Sequence, residues 1–222
     1  PSLQAAALAA SDFTVVDGVL TAWTGSDTNL VIPDDLGITI IDSGVFRETD
    51  IQSVVIPEGV TEIRSVAFYE CKKLKSVSFP STLKKIGARV FYYCWNITSL
   101  DIPASVESIG IEAFCSCFDL TKVNLHEGLK TIQKQAFVNC DSLLEVRLPE
   151  SLTELGESAF YGCNELKSVY IPGTITKIPN QAFGHCNQLE TVTIAEGITR
   201  IGEFAFCNCS KLREITLPKG VT

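Results

Sequence analysis

The side chains of this chain that could carry chemistry are nine cysteines, two histidines and 26 carboxylates. Cys115-Ser-Cys117 and Cys207-Asn-Cys209 have the close spacing found at metal and redox sites. His126 and His185 stand at unrelated positions, which favours two solvated surface histidines. No His-Glu metal motif, glycine-rich phosphate loop or nucleophile elbow occurs. The sequence therefore predicts no catalytic residue, no metal site and no cofactor.

Seven of the cysteines recur every 23 residues, and this regularity changes their interpretation. They are Cys71, Cys94, Cys117, Cys140, Cys163, Cys186 and Cys209. Cysteine is among the most buried residue types, so a structural ladder of free, buried thiols is favoured. Stacked neighbours would hold their Cβ atoms about 5 Å apart, beyond the usual disulfide range of about 3.5–4.5 Å. A disulfide or an adventitious metal remains an alternative, and so many free thiols in an exported protein would indicate a reducing niche or deep burial.

A phenylalanine column shows the same period and extends over most of the chain. It consists of Phe46, Phe68, Phe91, Phe114, Phe137, Phe160, Phe183 and Phe206, with a first interval of 22 residues and six of 23. A fixed period in the twenties is typical of solenoids, in which each repeat forms one turn and only stacking buries its apolar side. The elements that position any functional residue are therefore short, repeated segments.

Composition excludes two classes of function. The chain has 222 residues, of which 45% are hydrophobic, and a net charge of −8. Acidic and basic residues are interspersed, so there is no basic patch of the kind that binds nucleic acid. No apolar run approaches the roughly 18 residues that a membrane span requires. We therefore expect neither a nucleic-acid partner nor membrane insertion.

The period divides the chain into three parts. Residues 1–12 are rich in alanine and are interpreted as an N-terminal linker or capping helix, or as the end of an export signal. Residues 13–45 alternate apolar and polar side chains around Asp17-Gly18, which indicates a β-hairpin. We expect this segment to cap the open end of the stack. Residues 46–222 form the repeats, and the chain ends partway through a turn.

Each repeat begins with a short strand. Leu166, Val169 and Ile171 illustrate a Leu-x-x-Val-x-Ile pattern, in which alternate side chains face the core. Pro172 follows, at the strand end, where a missing N–H costs least. The sequence therefore predicts a parallel sheet with one strand from each repeat.

The remainder of the repeat predicts a bend and a helical turn. A second apolar pair, such as Ile198 and Ile201, is commonly followed by glycine, here Gly202, which suggests a bend that tolerates positive φ. Alanine precedes the phenylalanine and stands four residues before the cysteine, as in Ala159 and Cys163. This i, i+4 spacing predicts a single helical turn facing the core.

These columns resemble the leucine-rich repeats of the BspA-like or Treponema type, whose unit is Leu-x-x-Ile-x-Ile-Pro-x-x-Val-x-x-Ile-Gly-x-x-Ala-Phe-x-x-Cys-x-x. The resemblance covers about residues 30–222. It implies a leucine-rich repeat solenoid, a right-handed coil of ~23-residue repeats, with a parallel β-sheet on one face and short strand and single-turn helical segments on the other. The chain departs from commoner leucine-rich repeats, which have Asn or Cys where Gly128, Ser151, Thr174 or Gly197 stands here. The resemblance further implies a cell-surface or secreted bacterial or protist protein, often part of a longer chain, that acts in adhesion.

The strand residues that point outward vary, whereas the core columns repeat, as expected of a scaffold that carries a recognition face. The predicted binding face comprises Asp101, Lys122, Asn124, Glu145, Arg147, Ser168, Tyr170, Thr191 and Thr193. Small polar residues could instead simply solvate an exposed sheet. A second, aromatic group follows the phenylalanine column. It comprises Tyr69, Tyr92, Tyr93, Trp95, Phe118 and Tyr161, and it either covers the edge of the core or forms a second contact surface.

Two functional hypotheses follow from these features. The first is a non-catalytic recognition module whose sheet face binds an extracellular host or microbial surface protein or glycan. The alternative is a rigid spacer that presents other domains of a longer surface protein. Variable outward residues favour the first hypothesis, and an enzyme is the least favoured class.

Overall fold

The computed structural model describes residues 12–221 as a solenoid with a strand-bearing face on each of two sides. Residues 1–11, on which the linker or capping-helix prediction falls, lie outside the described residues. Strands are numbered in chain order. The chain begins with an antiparallel hairpin of β1 (Phe13–Val16) and β2 (Val19–Trp23), whose turn places Asp17 and Gly18 at positive φ. We propose that residues 13–45 cap the stack, because the Trp23 ring packs 5.5 Å from the Phe46 ring.

The first of these faces, the long-strand face, carries one strand of three or four residues from each repeat up to Ile194, whereas residues 214–217 at the same position of the last repeat form no strand. These strands are β3 (Asn29–Val31), β5 (Ser53–Val55), β7 (Ser76–Ser78), β9 (Ser99–Ile102), β11 (Lys122–Leu125), β13 (Glu145–Arg147), β15 (Ser168–Ile171) and β17 (Thr191–Ile194). They form three parallel sheets, β3-β5-β7, β9-β11 and β13-β15-β17. Equivalent repeat positions pair, as in Tyr170 with Thr193. The predicted one-strand-per-repeat parallel arrangement is therefore confirmed.

The second, the short-strand face, carries strands of two residues. These are β4 (Ile40–Ile41), β6 (Glu62–Ile63), β8 (Lys85–Ile86), β10 (Ser108–Ile109), β12 (Thr131–Ile132), β14 (Glu154–Leu155), β16 (Lys177–Ile178) and β18 (Arg200–Ile201). The hairpin and the strands β4 to β14 form one eight-stranded sheet, while β16 and β18 form another. The one 3-10 helix among residues 12–221 spans Asp34–Leu36.

Pro179 removes one inter-repeat hydrogen bond at the break between β14 and β16. At the equivalent position of neighbouring repeats, Gly156 N donates to Ile132 O and Gly202 N donates to Ile178 O, both at 2.8 Å. Proline has no N–H, so the matching bond to the carbonyl of Leu155 cannot form. A groove of about 570 Å³ lies at this boundary and is lined on its two sides by residues 153–157 and 175–179.

The glycines of this column are required for a reason that differs from the expected positive φ. Gly87, Gly110, Gly156 and Gly202 do not adopt positive φ. A Cβ atom at Gly156 would lie 2.2 Å from the backbone nitrogen of Lys134 in the preceding repeat. Close approach of neighbouring backbones, rather than a left-handed bend, therefore selects glycine.

The segment around each phenylalanine is a turn and not the expected single helical turn. Two residues before and two after Phe137, Gln135 and Asn139 have φ of 58° and 56°. A right-handed helix cannot continue through these residues. Their N–H groups instead point to the next repeat, where Asn139 N donates to Tyr161 O and Phe137 N to Ala159 O, both at 2.8 Å. We call this set of inter-repeat bonds the turn ladder.

The phenylalanine rings form a continuous stack along the core. Successive centroids from Phe46 to Phe206 lie between 4.8 and 5.6 Å apart. The rings from Phe46 to Phe183 are fully buried. Near-parallel contact at this spacing adds to the free energy gained from area burial alone.

All seven column cysteines are buried and free. Each thiol donates to the carbonyl of the phenylalanine in the preceding repeat, for example Cys140 Sγ to Phe114 O at 3.3 Å and Cys71 Sγ to Phe46 O at 3.0 Å. Cys115 is also buried, and Cys207 is half-buried. A small apolar side chain that still carries one weak donor fits this position better than alanine or valine.

Candidate binding groove on the long-strand face

A groove of about 730 Å³ lies on the long-strand face across β11, β13, β15 and β17. It forms where the β9-β11 pair adjoins the β13-β15-β17 sheet. Alternation along the strands directs Val123, Val146 and Val169 into the core and leaves the residues directly before and after each valine on the surface. The strand period therefore determines which side chains line the groove.

Eight of the nine residues of the predicted binding face line this groove. They are Lys122, Asn124, Glu145, Arg147, Ser168, Tyr170, Thr191 and Thr193. The ninth, Asp101, lies on β9 and approaches the groove through His126, whose Nε2 is 2.8 Å from the Asp101 carboxylate. The structure thus brings residues from five repeats to one site.

Arg147 and Tyr170 occupy paired positions on β13 and β15. The guanidinium carbon lies 4.2 Å from the centroid of the Tyr170 ring. The Tyr170 hydroxyl donates to the carboxylate of Glu150, just beyond the end of β13. This bond, together with partial burial, raises the pKa of Tyr170. The ring is held at both its face and its hydroxyl, so it fixes the plane of the arginine.

His126 and Asp101 form the other defined polar contact of the site. The hydrogen bond from His126 is the largest of the interactions that lower the pKa of Asp101. His126 was expected to be a solvated surface histidine; it is exposed, and it also contributes to the lining of the groove. Its position directly after β11, one repeat beyond the outward Asp101, was the signal that could have revealed this pair.

The aromatic group lies outside this groove. Tyr69 stacks on Tyr92 at 5.1 Å, and Tyr93, Trp95 and Phe118 contact one another. Tyr161 is placed elsewhere, 4.9 Å from the His185 ring. Trp95 is 39% exposed, so the five clustered rings both cover the edge of the core and leave one ring on the surface.

The residues that could have suggested other chemistry do not assemble. Among residues 12–221, no group of three or more His, Cys, Asp or Glu side chains is arranged to hold a metal ion. Cys115 and Cys207 are separated by four repeats, and neither lies in the lining of the groove. Within the same described range, no helix is long and apolar enough to cross a bilayer.

Comparison with solved structures identifies proteins of similar fold. The leucine-rich repeat protein TpLRR of T. pallidum has a TM-score of 0.65 and 23% identity, over 92% of this chain and 90% of that one. The pneumococcal vaccine antigen PcpA also has a TM-score of 0.65, with 24% identity over 91% of this chain and 64% of that one. At these identities the likeness shows the fold alone. A search of curated proteins found no match.

Family comparison assigns the repeats themselves. The BspA type leucine rich repeat region matches in six copies, over residues 39–164 and 107–222. These matches include the phenylalanine and cysteine columns, the turn ladder and all four strands of the groove. The chain therefore belongs to the BspA-type leucine-rich repeat family.

Proposed function

We propose that this chain is a non-catalytic recognition module of a cell-surface or secreted protein, and that it binds an extracellular protein or glycan through the groove of the long-strand face. The observation that carries the proposal is the convergence of eight variable outward residues on one groove with a fixed arginine at its centre. Tyrosine and arginine are favoured anchors at binding surfaces. The family assignment supports a binding role, and adhesion is the specific activity that the resemblance to BspA-like proteins suggests.

The groove has properties of a preorganised site. Arg147 is held against Tyr170, which is itself held by Glu150, so little side-chain entropy is lost when a ligand contacts the guanidinium. Ser168, Thr191 and Thr193 add short hydroxyl side chains that have few rotamers to lose. Rigid positioning of polar groups above a packed core is suited to recognition.

Biolayer interferometry against extracellular-matrix proteins, plasma proteins and surface glycans tests this proposal. We expect saturable binding by at least one partner, and an Arg147→Ala/Tyr170→Ala variant should weaken that binding at least about tenfold, the scale of a hot-spot loss. Arg200→Ala is the matched control, because Arg200 is exposed on the short-strand face. Equal binding by both variants would refute recognition through the groove.

The rigid-spacer hypothesis is favoured by a different observation. The phenylalanine stack runs without interruption from Phe46 to Phe206. Eight repeats at about 4.8 Å each would form a stiff rod of roughly 38 Å. If the folded chain bound no partner in the panel, the spacer function would be preferred.

A further inference from the structure

Two cationic side chains of the groove have no ion-pair partner among residues 12–221. Neither Lys122 nor Arg147 forms an ion pair with any residue in the described part of the chain. Acidic side chains are also present, because Glu145 lines the groove and Asp101 and Glu150 lie beside it. Two cations without an ion-pair partner in one groove can still contact an anionic group of a ligand.

The geometry of Arg147 makes it the better candidate for the central contact. One face of its guanidinium is against the Tyr170 ring, at 4.2 Å, so the edge that carries the N–H donors remains available to a ligand. A planar fork of donors matches a carboxylate or sulfate group with two hydrogen bonds. Because the stacked ring fixes the plane of this fork, the direction of approach of the anion is also fixed.

The rest of the lining favours a polyhydroxylated ligand over a peptide. The backbone groups of β15 are paired with β13 on one side and β17 on the other, so this central strand offers no free edge to an added peptide strand. Val146 and Val169 are each only 3% exposed, so these two side chains offer little apolar surface to a peptide anchor. The accessible polar groups include hydroxyls and an amide, from Ser168, Thr191, Thr193 and Asn124.

We propose that the groove binds an acidic glycan, with a carboxylate or sulfate group on Arg147, a further electrostatic contribution from Lys122, and sugar hydroxyls on the neighbouring hydroxyl and amide side chains. This inference rests on the proposed function and specifies its ligand. Glu145 occupies the same position as Lys122 in the following repeat, and it forms no ion pair in the described part of the chain. Its charge opposes an anion, so it tunes affinity rather than contributing to it.

Matched acidic and neutral glycans test the proposal by isothermal titration calorimetry with the whole chain. The pairs are tetragalacturonate with its methyl ester, sialyllactose with lactose, and 6-sulfo-N-acetyllactosamine with N-acetyllactosamine. We expect at least one acidic member to bind about tenfold or more tightly than its neutral partner, the scale of a charged hydrogen bond. Arg147→Gln should abolish this preference, and Glu145→Gln should tighten acidic binding about two- to threefold.

Controls separate this inference from the general function. Arg200→Gln should leave every affinity unchanged, and Arg147→Lys should give an intermediate loss because it keeps the charge without the planar fork. Equal binding of acidic and neutral members, or no binding of any acidic member, overturns the inference. If a protein or neutral glycan then still binds and the Arg147→Ala/Tyr170→Ala variant loses it, recognition through the groove stands. If no groove variant affects any ligand, both proposals fail.

Discussion

Replacement of one column cysteine by serine and by alanine tests why the thiol ladder exists. Cys140 is the best position, because its side chain is fully buried at the centre of the stack and its thiol donates to Phe114 O at 3.3 Å. The same carbonyl also accepts Cys117 N at 3.4 Å, so loss of the thiol does not leave it without a donor. The two substitutions therefore separate space filling from hydrogen bonding.

The magnitude follows from the contacts. Cys140→Ala removes one buried heavy atom, which costs about 1–1.5 kcal/mol, comparable to deletion of a methylene group. It also removes a weak S–H···O bond, worth roughly 0.5 kcal/mol. We expect a total loss of about 1.5–2 kcal/mol in the free energy of unfolding. Cys140→Ser retains a donor directed at Phe114 O, so its loss should be smaller, about 0.5–1 kcal/mol.

Urea unfolding followed by tryptophan fluorescence and by far-UV circular dichroism measures both values. The two probes must give the same transition, because repeat proteins can lose cooperativity along the stack. Cys163, whose thiol donates to Phe137 O at 3.3 Å, provides an independent replicate. If serine proves more destabilising than alanine at both sites, the hydroxyl is buried without a partner, and the cysteine column serves packing alone.

Three further outcomes are expected. Under native conditions a thiol reagent should modify half-buried Cys207 first, because the column thiols are buried and burial raises the pKa of the Cys163 thiol to about 12. Denaturant should make all nine thiols reactive, and fast labelling of the column cysteines in the native protein would contradict this prediction. Pro179→Gly should supply the missing donor to the Leu155 carbonyl and slow amide hydrogen exchange over residues 175–179, and unchanged exchange would show that proline does not cause the sheet break. Burial raises the pKa of Asp141, so the ionised carboxylate destabilises the fold at pH values above its usual pKa. Asp141→Asn should therefore stabilise the protein by roughly 0.5 kcal/mol at pH 7, and this gain should vanish below about pH 4, where Asp141 is protonated in both the folded and the unfolded state. A gain that persisted in acid would exclude burial of the charge as the cause.

The sequence sufficed to predict the features that repeat. The phenylalanine period specified the solenoid, and strand alternation assigned Arg147 and Tyr170 to the outward face, where the structure places them side by side. At these positions the conformation that the residues prefer is the one they adopt in the structure, for example the alternation of apolar and polar residues in a strand. Such agreement across repeats makes a single period informative.

The turn ladder could not be predicted, because its conformation opposes local preference. Val66, Glu112, Gln135 and Phe204 all adopt φ between 53° and 58°, although branched and bulky residues disfavour this region. Inter-repeat hydrogen bonds such as Val66 N to Ala88 O, at 2.9 Å, offset that local cost. An alanine four residues before a cysteine thus suggested a helix that the neighbouring repeat overrides.

Details of the groove depended on contacts between repeats. His126 stands where other repeats have proline, and its hydrogen bond to Asp101, 25 positions earlier, is what connects Asp101 to the site. The stacking of Arg147 on Tyr170 likewise requires the register of β13 on β15. Side-chain pairs of this kind become predictable once the register between repeats is known.

The turn ladder and the groove together explain how this architecture separates stability from recognition. The turn ladder, the stacked rings and the thiol-to-carbonyl bonds all join one repeat to the next, and each uses equivalent positions in successive repeats. The outward strand residues contribute to none of these interactions, since the core below Arg147 is closed by Val146 and Leu148, which are 3% and 0% exposed. Groove residues can therefore change without loss of the fold, so under the proposed function a few outward side chains on a constant scaffold would set ligand preference.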